Sequence, residues 1–304
     1  MMKYLIRYAF LVLILPMLSC EDEISPELES ADPVLVVDAW LNNKDEDQII
    51  KLTESQPYFD NTSPTGVSGA QIVVVDDQGK TYPFTEDDVV QGQYNLVAIS
   101  AGVFGEVGRS FELTIQIGED EFKAFSTMSR VPPIDSITFT FEEKTAFQEE
   151  SYIAEFWAVD PKGEDDRYWI KGFKNGVLLN RPSEINLAYD AGFSASGNFD
   201  GVPFIAPIRR EINPFDVDDN TNLVKNPYKP LDSVYVEIHS ITLEAFNFMN
   251  QVVIQTDRPG GFSELFATPL ANVSTNIVVT KGNRKVVGFF NTAAVSAAGK
   301  RLRI

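Results

Sequence analysis

The sequence predicts a mainly β protein: an N-terminal antiparallel β-sandwich, then a second β-rich domain, a sheet or a barrel, with one amphipathic helix. Three observations support this class. Short apolar runs recur at the spacing of hairpins, and polar turns with glycine or proline separate them. Only one stretch repeats its apolar residues at helical spacing. A chain of 304 residues is long enough to bury the cores of two domains.

The first element is a segment with the layout of a secretory signal. Two basic residues precede an apolar stretch over residues 8–18, and the stretch ends beside Cys20, the only cysteine. An apolar stretch of about eleven residues is too short to span a bilayer of roughly 30 Å. The segment resembles a bacterial lipobox, so we expect residues 1–19 to be removed and a lipid on the Cys20 sulfur to anchor the chain to a membrane. An ordinary signal peptide with an incidental cysteine is the alternative.

Residues 20–31 follow as an acidic tether. Acids, serine and proline dominate this stretch, which predicts a solvated linker without a core of its own. The whole chain carries a net charge of −19. Removal of residues 1–19 would make the charge more negative, because Lys3 and Arg7 would be lost. A surface this acidic repels nucleic acid and anionic lipid headgroups, so we expect no nucleic-acid partner.

The β-sandwich domain is predicted over residues 32–131. In its third run Ile72 and Val74 alternate with Val73 and Val75, so we expect that strand to be buried on both faces. Paired prolines just after residue 131 mark the domain boundary, because they cannot continue the interior of a sheet. The strand-like runs are PVLVVDAWL (33–41), QIIKLTES (48–55), GAQIVVVDDQGKTYPF (69–84, a hairpin), GQYNLV (92–97), SFELTIQI (110–117) and EFKAFSTM (121–128).

The second β-rich domain is predicted over residues 132–304. Most of its apolar runs alternate with polar residues, as in strands that have one face in a core. These runs are SITFTFEE, SYIAEFWAVD, RYWIKGFKNGVLL, DSVYVEIHSI, NIVVTKG and RKVVGFFNTAAV.

One amphipathic helix is predicted near residues 242–255. Thr242 can cap its N-terminus, and Glu244 lies in the first turn, where a negative charge is favourable. We expect the helix to cover the sheet of the second domain with an apolar face. That face is predicted from four residues at helical spacing: Leu243, Phe246, Met249 and Val253.

Residues 181–230 are predicted to be a long irregular insertion. They contain six prolines and unpatterned apolar residues, and fifty residues of this kind are uncommon inside a compact domain. Two interpretations stay open: a partly ordered surface insertion, or a segment that faces a partner or a ligand. In the second case Phe199, Phe204 and Phe215 are the expected apolar contacts.

A calcium site is a weak candidate within this insertion. Asp216, Asp218 and Asn220 have the first three ligand spacings of a calcium-binding loop. Thr221 replaces the required glycine, however, and Pro227 stands where a bidentate glutamate belongs. We therefore favour a solvated, Asx-rich turn.

Catalytic motifs are absent from the sequence. There is no G-x-S-x-G, H-E-x-x-H, P-loop or Rossmann fingerprint, and His239 is the only histidine, so we expect no enzymatic activity and no cofactor beyond the lipid. Two serines are weak candidates for modification. Ser136 in DSI and Ser233 in DSV resemble a bacterial O-glycosylation triplet, and ordinary turn serines are the alternative.

Several of these stretches together carry a family resemblance. VLVVDAWL, GAQIVVVDDQGKTYPF, GQYNL, STMSRVPPIDSI, DSVYVEIHSITLEAFNFMNQV and NIVVTKGNRKVVGFFNTAAV occur in the order of a Bacteroidota lipoprotein family catalogued as domain of unknown function 4249. The resemblance runs from about Val34 to Val295. It implies a transthyretin- or Ig-like first domain, a lipid-anchored location on the outer membrane facing the cell exterior, and a TonB-dependent receptor as partner. It supplies no catalytic residues.

Two functions follow as expectations. The first is a non-catalytic binding accessory to a TonB-dependent nutrient uptake system. The alternative is a structural or adhesive surface lipoprotein without a transported ligand. A binding accessory needs an ordered concave site with apolar and polar groups, whereas an adhesin or spacer needs only exposed sheets.

Overall fold

The computed structural model describes residues 32–303, except 58–59, 61, 98–102, 145–148, 164, 219–222, 259, 261–262 and 264–265. The predicted signal segment, Cys20 and the tether lie outside the described residues. Sixteen strands are present in the described part: β1 Leu35–Asn42, β2 Gln48–Glu54, β3 Gln71–Asp76, β4 Thr81–Glu86, β5 Gln93–Leu96, β6 Ser110–Ile117, β7 Asp120–Thr127, β8 Ser136–Glu142, β9 Ser151–Trp157, β10 Arg167–Lys174, β11 Val177–Leu178, β12 Asn186–Tyr189, β13 Ser233–Ser240, β14 Val278–Lys281, β15 Val286–Ala293 and β16 Val295–Arg301. The mainly β class is therefore confirmed.

The first sheet has nine strands in the order β14-β7-β6-β3-β4-β5-β2-β1-β15. The pairs are antiparallel except β1 and β15, which run parallel with Leu35 opposite Val286. The sheet is therefore mixed, which corrects the antiparallel prediction. A parallel neighbour needs a long crossover, and the whole second half of the chain provides it. The two ends of the sheet lie close together: the Thr292 N–H on β15 donates to Ser126 Oγ on β7 at 2.8 Å. The sheet is therefore nearly closed into a barrel.

One face of the first sheet forms its core. Along β1 the residues alternate, so that Leu35, Val37, Ala39 and Leu41 are buried. On β3, Ile72 and Val74 are buried whereas Val73 and Val75 are only half-buried, so the prediction of two buried faces holds for one face only.

The first core does not end at residue 131. Ile277, Phe290 and Ala294 pack into it from the far end of the chain. The predicted boundary between 32–131 and 132–304 therefore does not coincide with the sheets, because two strands from beyond residue 270 complete the first one.

The second half of the chain builds two smaller sheets. β10 is central to the first of these: β13 pairs along one side, β11 and β12 pair along the other, and β16 lies outside β13. β8 and β9 form a separate hairpin. β12 and β16 were not predicted, and β12 shows that residues 181–230 include regular structure.

Two α-helices are present in the described part, α1 Ala206–Arg210 and α2 Leu243–Thr256, with a 3₁₀ turn at Pro182–Glu184. The predicted helix is α2, and Thr242 caps it by accepting a 3.1 Å hydrogen bond from the Ala245 N–H. α1 was not predicted. In the described part of the chain, neither helix has the length and hydropathy required to cross a bilayer.

α2 joins the two halves of the molecule. Its buried residues pack with Phe289 of the first sheet and with Leu187 and Tyr189 of the second. Trp40 on β1 extends this contact, with its ring centroid 5.3 Å from that of Trp169 on β10. Residues 33–304 accordingly form one unit.

Candidate functional site

The clearest concave site lies between the end of the β8–β9 hairpin and the segment 181–230. It is an open pocket of about 620 Å³. This volume is within the usual range for small-molecule sites in proteins. The hairpin supplies one wall, through Tyr152 and Ile153, and the segment supplies the other walls and the floor.

The edge of β9 positions the segment. The side-chain amide of Asn213 forms two hydrogen bonds to Ala154, accepting from its N–H and donating to its carbonyl, both at 2.8 Å. Asn213 thus replaces a strand at this edge and satisfies backbone groups that would otherwise be unpaired. Further along, Tyr152 pairs with Tyr228 as an isolated bridge. The two walls of the pocket are therefore joined by backbone-directed bonds.

The short helix α1 fixes the floor. Its Ile208 and the following Ile212 are fully buried in the second core. On its outer side, Arg209 Nε lies 2.8 Å from Glu155 Oε1 on β9, and the guanidinium stacks over the Trp157 ring at 4.0 Å. These contacts orient the next residues, Arg210 and Glu211, into the pocket lining.

The lining combines apolar walls with charged groups. Its charged members are Arg210 and four carboxylates, Glu142, Glu149, Glu150 and Glu211. Among its aromatic members, Phe193 and Phe215 are 51% and 52% exposed, which is unusual for phenylalanine and typical of a binding surface. The apolar walls are formed by Tyr152, Ile153, Phe193, Pro214, Phe215 and Tyr228.

Glu211 has an unusual environment. Burial raises the pKa of its carboxyl to about 7, because the charged form loses hydration beside the apolar wall. Arg210 is held differently, with Nη1 3.5 Å from Glu142 Oε1 and Nε 3.5 Å from Glu155 Oε2. The pocket therefore contains a desolvated carboxyl beside a guanidinium already placed between two acids.

The three predicted aromatic contacts have different positions. Phe215 lines the pocket. Phe204 is fully buried, with ring centroids 5.7 Å from Phe156 and 5.4 Å from Tyr168, so it belongs to the second core and its prediction as a contact is wrong. Phe199 is half-buried and packs against that core. Its ring lies so close to two glycines that a Cβ at Gly192 or Gly197 would be within 2.2 Å of it.

The first acid of the candidate calcium site, Asp216, forms ion pairs with two basic side chains. Asp216 Oδ2 lies 2.6 Å from Arg181 Nη2, and Oδ1 lies 3.1 Å from Lys225 Nζ. The Asp218 N–H donates to the Leu223 carbonyl, and Asn220 is outside the described residues. In the part of the chain that is described, no group of three or more acid, histidine or cysteine side chains could hold a metal ion.

The two candidate serines differ in access. Ser136 is exposed at the start of β8. Ser233 is half-buried, and its N–H donates to Asn175 Oδ1 at 2.8 Å, with a longer bond from its hydroxyl to the same oxygen. Their glycosylation stays a prediction.

His239 lies on β13 and is not part of the pocket lining. It is buried, and its Nε2 is 2.8 Å from Glu237 Oε2. Burial lowers the pKa of His239 to about 4, although Glu237 acts in the opposite direction. Burial alone would raise the pKa of Glu237, but hydrogen bonds from His239 and Lys44 outweigh it and lower that pKa to about 2. The arrangement is that of a buried polar network.

Most residues of the pocket were not predicted from sequence. The sequence pattern predicts Tyr152 and Ile153 only as strand residues. Nothing in the sequence distinguishes Glu211 from the other acids, which number 44 in all. The only available signal was the position of exposed aromatics in a proline-rich stretch, which indicated Phe215 but gave no reason to choose Phe193. β9 and α1 contribute residues to the same lining as Glu211, and this assembly is set by the fold.

Comparison with known proteins gives a family and no curated relative. No curated protein matches the chain. A family model matches residues 21–298, which is most of the sequence, and its description is Domain of unknown function (DUF4249). The chain therefore belongs to the DUF4249 family.

Proposed function

We propose that this chain is a non-catalytic binding protein that captures a small ligand in the pocket between the β8–β9 hairpin and residues 181–230. The observation that carries the proposal is the pocket, with its volume of about 620 Å³, apolar walls and a set of charged and polar groups. Small-molecule sites have this combination, because apolar walls supply affinity and a few polar groups supply orientation. An adhesin or a spacer has no need for it.

The proposal includes a location and a partner. Cys20 carries a lipid that anchors the chain to the outer membrane, facing the cell exterior. The captured ligand is passed to a TonB-dependent receptor, the partner that the family resemblance implies. The acidic tether after Cys20 keeps the binding domain away from anionic headgroups, because like charges repel over roughly one Debye length, about 8 Å at physiological salt.

The anchor is tested by replacing the thiol. Cys20→Ala should abolish incorporation of labelled palmitate and leave the protein uncleaved or released from membranes, because the sulfur is the attachment point. Cys20→Ala cells that incorporate as much label into this protein as wild-type cells would remove the anchor from the proposal.

The binding role is tested with a substitution on the pocket rim. Replacing the whole segment 181–230 is unsuitable, because Phe204, Ile208, Ile212 and Tyr228 belong to the second core. Phe215→Ser instead removes an exposed ring from the pocket. Phe125→Ser is the matched control, since Phe125 is 65% exposed on β7 and does not line the pocket.

Both variants are compared with wild type for surface display and for growth on nutrients that require the gene. Phe215→Ser should be displayed normally and slow growth on at least one such nutrient, whereas Phe125→Ser should grow as wild type. Co-purification from intact outer membranes should recover a TonB-dependent receptor with all three proteins. Wild-type growth of Phe215→Ser, with no receptor recovered, would favour the structural or adhesive role.

A further inference from the structure

The charges that line the pocket are unbalanced. Among the described residues, four carboxylates line it against one guanidinium. Lys144, which follows β8, is ion-paired with Glu149 of the lining. The local field is therefore negative, in addition to the negative charge of the whole chain.

Among the described residues, Arg210 is the only cation of the lining, and it is already paired. Arg210 contacts Glu142 and Glu155, each at 3.5 Å. An anionic ligand would have to compete with both carboxylates for this guanidinium, in a pocket whose remaining charges repel it. Phosphates and carboxylates are therefore poor ligands for this site.

The carboxyl group of Glu211 is in a different situation. Among the described residues, none forms a hydrogen bond or an ion pair with its carboxyl group, and the only cause of its raised pKa is burial. A carboxylate in such a site is costly to ionise, and a cation placed beside it would relieve that cost. The charged groups that share the pocket with it are Arg210 on α1, Glu142 at the end of β8, and Glu149 and Glu150 before β9.

We propose that this pocket takes an organic cation, with an apolar or aromatic body against the walls and an ammonium group paired with Glu211. Three aromatic residues support the same choice. Tyr152, Phe193 and Phe215 line the site, and aromatic faces attract ammonium groups electrostatically. The inference rests on the binding role proposed above and names the ligand class that this role serves.

The test uses three probes that share one fluorophore and differ only in charge. Dansylcadaverine carries a primary ammonium, its N-acetyl derivative is neutral, and dansyl-6-aminohexanoic acid is an anion of similar length. The dansyl group brightens in apolar surroundings, so titration with the purified protein gives three dissociation constants. At pH 8 we expect dansylcadaverine to bind about tenfold more tightly than its acetylated form, and the anion most weakly.

Two variants identify the group responsible. Glu211→Gln keeps the size of the side chain and should abolish the preference for the cation while retaining the weaker binding of the neutral probe. Glu119→Gln is the control, because Glu119 is exposed in the turn between β6 and β7. Affinity for the cation should fall about tenfold from pH 8 to pH 6 in wild type and in the control, because Glu211 becomes protonated, and it should change little in Glu211→Gln.

The outcomes separate this inference from the binding role. Equal binding of the three probes, or strongest binding of the anion, would overturn the charge preference and leave a ligand pocket in place. A preference for the cation that survives in Glu211→Gln would overturn the assignment of Glu211. Failure of all three probes to bind would overturn the proposed ligand class. The binding role would then still be tested separately, by the growth of the Phe215→Ser variant.

Discussion

Phe204 and Phe215 belong to the same proline-rich segment and have opposite surroundings. Phe204 is fully buried between Phe156 and Tyr168, whereas Phe215 is 52% exposed on the pocket rim. The same substitution should therefore have different consequences at the two positions.

Phe204→Ala should lower the free energy of unfolding by about 3–5 kcal/mol, because it leaves a cavity in a close-packed core. Phe215→Ala should change it by less than about 0.5 kcal/mol, because little buried contact is lost. Urea unfolding followed by circular dichroism measures both. Similar losses for the two variants would mean that the two rings do not differ in burial.

His239 has surroundings that make stability depend on pH. Its pKa is lowered to about 4 in the folded protein, whereas an unfolded histidine titrates near 6.5. The unfolded chain therefore binds a proton first as the pH falls, and stability is lost between about pH 6.5 and pH 4. Glu211 acts in the opposite direction, since its raised pKa favours the folded state at lower pH.

The effect of His239 is isolated by comparing variants at each pH. In His239→Gln the loss of unfolding free energy between pH 6.5 and pH 4 should be smaller than in wild type, by up to roughly 3 kcal/mol. Urea midpoints at several pH values provide the measurement. Parallel pH profiles for the two proteins would show that His239 titrates alike in the folded and unfolded states.

Single residues were predictable from sequence where their chemistry is local. The sequence predicts Thr242 as a cap because a cap depends only on its own turn. Phe204 was misassigned because its burial depends on contacts with β9 and β10. Such contacts are set by the tertiary fold and leave no local pattern.

Among the elements, α2 has the most informative packing. Its buried residues are Ala245, Phe246, Phe248 and Met249, whereas Leu243, which was predicted to be on the apolar face, is 43% exposed. The helical period identified the helix correctly. It could not give the width of the buried face, because α2 is contacted by both halves of the molecule and by Trp40.

The cap of α2 gives a prediction at this scale. Thr242→Ala should lower the free energy of unfolding by about 1 kcal/mol, because the Ala245 N–H loses its acceptor. Thr256→Ala at the exposed other end is the control and should cost less than about 0.5 kcal/mol. Chemical unfolding of both variants decides the matter, and equal effects would mean that the cap contributes nothing specific.

Strands were predictable where alternation is long enough to see. β1, β6 and β7 have eight residues each and lie within two residues of their predicted bounds. β12 has only four residues, all buried, so it shows no alternation. β16 is built largely from small and polar residues at the end of the chain, where apolar periodicity is weak.

At the scale of the whole molecule, the pairing of β1 with β15 is the main departure from the predicted organisation. Composition and prolines indicated a boundary near residue 131, and local patterns cannot show that a distant strand returns to the first sheet. Gly288 makes the close approach feasible, since a Cβ there would lie 2.0 Å from the Val37 carbonyl oxygen. The first sheet therefore depends on the end of the chain.

This dependence predicts a single unfolding transition for the whole protein. Far-UV circular dichroism and the fluorescence of Trp40 and Trp169 at the junction should report the same urea midpoint. A chain ending at residue 131 should fail to unfold cooperatively, because it lacks β14, β15 and the core residue Phe290. A cooperative transition in that shortened chain, at the midpoint of the full protein, would show that the first sheet is independent.

The parallel partner of β1 also constrains the order of events during synthesis. Leu35 on β1 leaves the ribosome long before Val286 on β15, and their contact has one of the largest sequence separations among the described residues. Contacts between residues this far apart in sequence form slowly, because the chain must lose the entropy of a long loop before the contact can stabilise it. The outer edge of β1 therefore stays uncovered in the nascent chain until β15 has been made, and only then can the first sheet be completed.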